Sequence, residues 1–317
     1  MKRIVVIGGG TGTFMVLSAL KNTPDVHLAA VVSMADDGAS TGLLRDQYGV
    51  LPPGDIRRAL VALSQSSETL RELFNYRFEG GGLHGHNFGN LFLSALEKVT
   101  GNFATAVQEA SSVLSIEGEV VPVTLDDVRL VARLSDGKII RGETNIDIPR
   151  TAERARIDEV WLEPEARMNP SVRRVLQAAD LIVIGPGDLY TSLVPNLLVQ
   201  GVSEAIRASK AKKVYVANLM TKYGETHGFG PMDFFREIER YLGRGVLDYA
   251  VWNSRRPPEA VLRRYRRERA EFIDPRHLPT RHGRTKFIKA DLLDAGKFVR
   301  HNPRKKLGKV LMSLVNR

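Results

Sequence analysis

Whatever this chain folds into must accommodate residues 4–20, IVVIGGGTGTFMVLSAL. Ile4 to Ile7 is a short β-branched run, the pattern of a strand buried on both faces. Gly8, Gly9 and Gly10 follow at once, then Thr11, Gly12 and Thr13, after which Phe14, Met15, Leu17 and Leu20 recur at helical spacing. A strand, a glycine turn and a helix start in direct succession form a corner. Backbone N–H groups and the positive end of the helix dipole converge there, which favours an anion. Glycine suits such a corner because it accepts positive φ and lets a phosphate approach the backbone. The G-x-G-x-x-G pattern is met at Gly8 and Gly10, with Thr13 at its third position. No G-x-x-x-x-G-K-[ST] is present, so a P-loop is excluded. An ordinary tight turn without a ligand is the weaker reading, because this turn closes the chain's first strand.

The 317 residues can bury a large core, and 43% apolar with 26% charged residues is the balance of a globular protein. The absence of cysteine excludes disulfides, zinc–thiolate sites, iron–sulfur clusters and a cysteine nucleophile. No apolar stretch reaches the length of a membrane span, and the apolar run at the start is too short for a signal peptide. A cytoplasmic protein is expected. The net charge of +10 is uneven: residues 255–317 hold 19 Lys and Arg against 6 Asp and Glu. Such a segment could serve nucleic acid, an anionic membrane or a phosphorylated ligand, but charge runs of this kind are usually solvated faces.

A second strand, Val26 to Ser33, runs into Met34-Ala35-Asp36-Asp37-Gly38. An acid at the end of the second strand is where a dinucleotide fold holds ribose hydroxyls. Two adjacent acids before a glycine also suit a hard divalent ion beside a phosphate. Residues 39–55, with the pair Pro52-Pro53, read as a long and therefore functional loop. Asp55 then N-caps a helix over 55–65 whose apolar face is Ile56, Ala59, Leu60 and Leu63. Arg57 and Arg58 in its first turn oppose the macrodipole and hint at a nearby anion, with plain surface arginines as the competing account. A helix over 67–78 follows, then the glycine-rich loop Glu79 to Asn90. His84 and His86 are spaced to share a metal but lack a third ligand nearby. Asn87 and Asn90 are the better candidates there, offering amides to a polar ligand at the next helix start.

From Gly118 to Ile148 hydrophobicity alternates with period two. Strands in VVPVTL, VRLVARL and IIRGETNI, with Asp136-Gly137 as a hairpin turn, predict a β insertion acting as flap or dimer contact. Alternation of strand and helix resumes with Ile157 to Leu162, a helix from Asn169-Pro170 to Ala179 and the buried strand Leu181 to Ile184. That strand runs into Gly185-Pro186-Gly187-Asp188-Leu189-Tyr190-Thr191-Ser192 and a helix over 194–209, a second strand–glycine–helix corner capped by Thr191 or Ser192. Two such corners suit a ligand spread over neighbouring strand ends at the carboxyl edge of an open sheet. The strand Val214 to Ala217, ending at Asn218, a polar loop over 221–234, a helix over 234–242 and the strand Tyr249 to Asn253 complete the sheet. In 257–272, Val261, Leu262 and Tyr265 share one helical face while Arg263, Arg264, Arg266 and Arg267 share the other. The last helix has Asn302 as cap, Pro303 at its first position, and Leu307, Val310, Leu311, Leu314 and Val315 as its core face, with Arg300 and His301 just before it.

Five motifs in order, IGGGTG, ADDGASTG, PPGDIRRALVAL, GHNFGNLFL and GPGDLYTSLVPNLLV, resemble the gluconeogenesis factors of bacteria. These share a superfamily with the 2-phospho-L-lactate transferases of deazaflavin cofactor synthesis. The resemblance runs from about Ile4 to Asn302 and implies a Rossmann-type α/β fold with a nucleotide at the strand ends. It implies a UDP-sugar such as UDP-N-acetylglucosamine, or an NAD-like dinucleotide in the same cleft, and a link to cell shape and cell-wall synthesis. It also implies Tyr265 and Arg300 as sugar-nucleotide contacts, where an arginine can pair with a diphosphate bidentately. In the transferase branch a deazaflavin hydroxyl attacks a phosphorus of a lactyl-diphospho-guanosine and GMP leaves, with an acid at the position of Asp36 or Asp37 holding the metal. The family pattern ADDGGSSG is met here with Ala39 and Thr41 at two of its positions, and Asp188 stands where serine is usual. A carboxylate in an anion-binding corner repels phosphate unless a metal or an arginine offsets it.

The expectation is one α/β domain over 1–317, a Rossmann-like open, mostly parallel sheet with helices on both faces. It carries a β insertion at 118–148 and a basic segment at 255–317. Phosphates would rest on Gly8, Gly9, Gly10, Thr11 and Gly12 and on Gly185, Gly187, Asp188, Tyr190, Thr191 and Ser192. Asp36 or Asp37 would take ribose, or Mg2+ with Asp37 as its ligand. Asn87, Asn90 and Asn218 would supply amides, and Tyr265 and Arg300 would close the site. The expected role is a sugar-nucleotide-binding regulator, with a homo-oligomer and protein partners in cell-wall synthesis as further expectations. A metal-dependent phospho-group transferase is the alternative. An NAD-dependent dehydrogenase ranks lower, lacking a hydride-transfer site, and so does a nucleic-acid binder.

Overall fold

The computed structural model describes residues 1–149, 151, 153–295, 299–302 and 306–316. Its centre is a sheet built on the apolar runs of β1 (Lys2–Gly8) and β7 (Leu181–Ile184), Ile4 to Gly8 of the first and all of the second being buried. Between them in the chain come β2 (Val26–Val32), β3 (Glu119–Pro122), β4 (Arg129–Leu134), β5 (Ile139–Arg141) and β6 (Ile157–Glu163). After β7 come β8 (Lys212–Val216), β9 (Tyr249–Asn253), β10 (Arg281–His282), β11 (Thr285–Ala290), β12 (Leu293–Ala295) and β13 (Val299–His301).

Among the described residues the main sheet has eight strands in the order β10-β11-β9-β8-β7-β1-β2-β3. All its pairings are parallel except β10 with β11. From β1 the chain moves outward to β2 and β3 on one side. From β7 it moves outward to β8, β9 and β11 on the other. The order therefore reverses between β1 and β7, where the loops leaving the two carboxyl ends diverge and leave a crevice. In register, Ile4 lies beside Leu181 and Ile7 beside Ile184, and Gly185 N–H donates to Ile7 O at 3.0 Å. Both glycine corners thus start at the same level of the sheet.

The helices are α1 (Gly10–Leu20), α2 (Ala39–Tyr48), α3 (Gly54–Leu63), α4 (Glu68–Asn75), α5 (Phe88–Thr100), α6 (Phe103–Val113) and α7 (Glu143–Asp147). They continue with α8 (Pro170–Ala178), α9 (Val194–Leu198), α10 (Val202–Ala208), α11 (Pro231–Leu242), α12 (Glu259–Arg267) and α13 (Gly308–Val315). One group packs α1, α3, α5, α6 and α13 together and a second packs α8 to α11 together. Helices α1 and α8, from different groups, both lie on β1, so the sheet is covered on two faces. None of the described helices is long and apolar enough to cross a membrane.

The structure departs from the expected layout at several points. Residues 39–48 of the expected long loop form α2, whose buried face is Ser40, Thr41, Gly42, Leu44 and Arg45, polar enough to hide the helical period. Strand β3 joins the main sheet beside β2, so the inserted sheet is β5-β4-β6 and runs to Glu163. The expected third strand of that insertion stops at Arg141, and Glu143–Asp147 is helical. Ile157 to Leu162 belongs to this small antiparallel sheet, not to the main one. The helix expected over 194–209 breaks at Gly201, which adopts φ 92°. Strand β11 extends the main sheet beyond β9. Asn302 O accepts from Leu307 N–H at 3.0 Å ahead of α13, while Pro303 lies outside the described residues.

Candidate functional site

A cavity of about 420 Å³ opens at the carboxyl ends of β1, β7 and β8, at the point where the strand order reverses. The first corner forms its floor through Gly9, Gly10, Thr11 and Gly12. Helix α1 starts there with Gly9 in the capping position and no side-chain cap, so its N-terminal amides face the cavity. Gly8 does not line the cavity; it packs against Thr13 and Leu193. Gly9 passes so close to Asp55 that a Cβ would lie 2.4 Å from Asp55 Oδ2. Asp55 is therefore not the N-cap of α3, a place held by Pro53. Its carboxylate sits over the first corner and accepts from Gly10 N–H.

Asp36 and Asp37 part company. Asp36 faces the cavity, accepts from Gly38 N–H at 2.9 Å and packs beside Gly54 and Thr41. Asp37 points away and accepts from Glu143 N–H at 3.0 Å and Thr144 N–H at 2.8 Å, capping α7. The expected metal ligand is thus spent on a helix start, and its effect on the cleft is to hold Glu143 over Asp36. Burial raises the pKa of Asp36, and it raises that of Asp55 with Asp36 adding to it. Glu143 is pushed up to about 9, first by burial and then by the charges of Asp36, Asp147, Asp37 and Asp55. Arg58 on α3 lines the same wall, 3.6 Å from Asp55. Its neighbour Arg57 turns inward to Asn90 Oδ1, Asn75 Oδ1 and Phe74 O. Burial, then Arg58, lowers its pKa to about 10.

Asn87 and Asn90 are not in the cavity. Asn87 caps α5 by accepting from Asn90 N–H at 3.1 Å and donates to Tyr76 O, while Asn90 Oδ1 holds Arg57. The nearby histidines do not converge either: His84 Nδ1 lies on Glu79 O and His86 Nδ1 on Ser40 Oγ.

In the second corner Pro186, Gly187, Asp188, Thr191 and Ser192 reach the cavity. Gly185 turns the chain with φ 82° against Val216 O. Gly187 N–H donates to Asn218 Oδ1 at 3.0 Å, so the amide oxygen of Asn218 braces the corner, and Asn218 also lines the cavity. Tyr190 is 1% exposed, its ring set edge-on to Phe229 and its hydroxyl bonded to Glu237, so it packs instead of binding. Neither Thr191 nor Ser192 caps a helix; residues Leu189–Leu193 form a single wide turn into α9. Tyr190 N–H and Thr191 Oγ1 donate to the buried carboxylate of Glu225, at 3.1 and 3.2 Å. Lys222 Nζ lies 2.8 Å from Asp188 Oδ2, so the carboxylate in this corner is offset by a lysine.

Across the cavity stand Tyr265 of α12 and Arg300 of β13. Tyr265 Oη accepts from Val299 N–H at 3.1 Å, and His301 Nε2 lies 3.1 Å from Ala217 O, so the strand carrying Arg300 is tied on both sides. Burial pulls the His301 pKa down to about 4, so it is neutral there. The structure thus adds Asp55, Glu143, Asp147, Lys222 and Glu225 to the residues legible beforehand. Asp55 had the wrong local role, and the others sit in a short helix and a polar loop with no motif to mark them.

The donor set fits a hard divalent ion in a limited sense. Mg2+ takes one or two carboxylates together with waters and phosphate oxygens, and Asp36 and Asp55 present such a pair on one wall. Among the described residues, the one acidic trio with oxygens within 4.8 Å of one another is Asp147, Asp188 and Glu225, and Lys222 already stands among them.

Residues 4–293 match the family model of 2-phospho-L-lactate transferase CofD. A protein of Thermotoga maritima is 45% identical over 86% of this chain and 85% of its own length. The gluconeogenesis factor of Halalkalibacterium halodurans is 42% identical over 86% of this chain and 84% of its own. A crystal structure of a UPF0052 family member from Bacillus halodurans superposes with a TM-score of 0.93 at 37% identity, covering 98% of this chain and all of that one. With its sheet reversing between two glycine corners and its relatives aligned over most of their length, the chain belongs to the 2-phospho-L-lactate transferase CofD family, among the gluconeogenesis factors.

Proposed function

We propose that the cleft binds a nucleoside diphosphate bearing a sugar, of the UDP-N-acetylglucosamine class, and that this binding serves a regulatory role in cell-wall synthesis and cell shape. The observation that carries the reading is the glycine start of α1, where Gly9, Gly10, Thr11 and Gly12 line one cavity with Arg300 and Tyr265 at the strand-order reversal. The α1 amides and Arg58 would hold the diphosphate, Arg300 would pair with it, and Tyr265 would close the pocket. An NAD-like dinucleotide would use the same corner. A cytoplasmic location and protein partners in cell-wall synthesis go with this role.

A second reading rests on the acidic wall of Asp36, Asp55 and Glu143. A phosphate beside carboxylates is repelled unless protons or a divalent ion intervene. Mg2+ at Asp36 and Asp55 would supply Lewis-acid stabilisation of a phosphoryl group. An acceptor hydroxyl would then form the new O–P bond as the bond to a departing nucleoside monophosphate breaks, its proton passing to a wall carboxylate.

Calorimetry with UDP-N-acetylglucosamine, NAD and a guanine nucleotide, each with and without Mg2+, separates the two. Metal-independent binding of the UDP-sugar, weakened at least about tenfold in Arg300→Ala as expected for a lost charged hydrogen bond, supports the regulatory reading. Binding confined to the guanine nucleotide with Mg2+, with nucleoside monophosphate released on adding an acceptor alcohol, overturns it for the transferase.

A further inference from the structure

The polar loop after β8 folds back beneath the second corner and sets Lys222 among three acids. Its Nζ lies 2.8 Å from Asp188 Oδ2, 3.6 Å from Glu225 Oε1 and in hydrogen-bond contact with Asp147. Glu225 is buried, its side chain 1% exposed, and both of its oxygens are engaged, by Tyr190 N–H and by Thr191 Oγ1. It fixes the turn of the corner from below. Asp147 and Asp188 line the cavity, whereas Lys222 does not. Burial pulls the lysine pKa down, but Asp188, Glu225 and Asp147 outweigh it and hold the ammonium charged. Buried Arg154 adds a further positive charge near Glu225 from the segment behind α7.

Taken without the ammonium, the corner would turn carboxylates toward the place where a phosphate should rest, and like charges at that range repel strongly. The chain therefore carries a charge at the corner together with its neutraliser, 34 residues apart in sequence and brought together by the ends of β7 and β8.

We propose that Lys222 is a positioning residue that sets the sign of the second corner: its ammonium neutralises Asp188 and holds it aside, which lets this corner accept a phosphate of the nucleotide ligand. The proposal rests on the sugar-nucleotide reading of the cleft. Lys222 acts through Asp188 and Glu225 without touching the ligand.

The test is a charge cycle of full-length Lys222→Met, Asp188→Ser and the double variant, with Lys222→Arg as the conservative control. Each is titrated with UDP-N-acetylglucosamine by calorimetry and melted without ligand. Lys222→Met should weaken binding at least about tenfold, and Lys222→Arg should keep most of it. The double variant should recover a clear part of the lost affinity, because the carboxylate of the corner itself is gone while Asp147 and Glu225 keep theirs. Wild-type affinity in Lys222→Met overturns the proposal. So does a double variant as weak as Lys222→Met, which would mean that the ammonium touches the ligand. If the wild type binds no UDP-sugar, the nucleotide reading falls. The charge pairing is then decided by the melts, where a double variant that fails to recover the melting temperature lost in Lys222→Met overturns it.

Discussion

A methyl group on Gly12 would lie 1.9 Å from the carbonyl oxygen of Pro186. Both partners are backbone, so no rotamer change relieves the overlap, and the two corners can meet only through a residue without Cβ. Gly12→Ala should force them apart and cost at least about 1–3 kcal/mol of stability. A urea midpoint equal to wild type would show that the corners do not pack in this way. This constraint is why Gly12, and Gly185 against Val216 O, are legible in sequence: backbone approach leaves no other residue type. The acids are less legible. Asp36 and Asp37 lie in the loop beyond β2, where no strand period fixes direction, so sequence alone cannot say which of them faces the cleft. Asn87 mislabels itself for a related reason, since the residue types that cap helices are those that bind polar ligands. Lys222 carries no local signal, because its meaning comes from Asp188 on another loop.

Elements with one-sided chemistry announce themselves, and β1, β7 and the amphipathic α12 do so through unbroken apolar runs or a clean polar face. Helix α2 does not. Its inward face includes Arg45, whose guanidinium reaches Asp36 O at 2.8 Å, Val128 O at 2.6 Å and Asp127. A helix that buries polar groups, here with Arg45 Nε left without a partner among the described residues, shows no apolar period to find. The placement of β3 and β6 escapes sequence for a different reason: an alternating strand fits an antiparallel insertion and a sheet edge equally well. Helix α12 bears on function through one hydroxyl, since Tyr265 holds Val299 and thereby the strand of Arg300. Tyr265→Phe keeps the ring and loses that bond, worth about 0.5–1.5 kcal/mol, so UDP-sugar affinity should fall about two- to tenfold. Calorimetry checks this beside the melting temperature, which should fall by no more than about 2–4 °C. An unchanged affinity would remove Tyr265 from any positioning role.

Over the whole molecule the charge is divided. The chain is basic by +10, with the excess in 255–317, yet the cleft wall is acidic through Asp36, Asp55 and Glu143. Arginine does not titrate near neutrality, so the pH dependence of the ligand-free protein should come from the cleft acids and from Glu225 beneath the second corner, which burial first of all pushes up to about 8. Glu143 rises from an ordinary 4.5 to about 9, and Asp36 and Asp55 shift the same way. The folded state then keeps protons that the unfolded chain has released. Stability from these groups is complete below about 4.5 and is lost as pH rises through about 9. His301 works in the opposite sense at the acid end: its folded pKa is near 4 against 6.5 unfolded, so it costs stability as pH falls below 6.5. The cleft acids are therefore read most cleanly from pH 6.5 to 9. In that window the ligand-free unfolding free energy should decline with pH, and Glu143→Gln, which cannot ionise, should decline less. A bound nucleotide diphosphate with Mg2+ should flatten the slope as well, because the ion takes over from the protons in holding the carboxylates together. A wild-type profile that is level or rising across the window would mean that the acids are ionised and paired in the folded protein. The acidic wall would then offer a ready-made cation site, and the transferase reading would gain what the regulatory one loses.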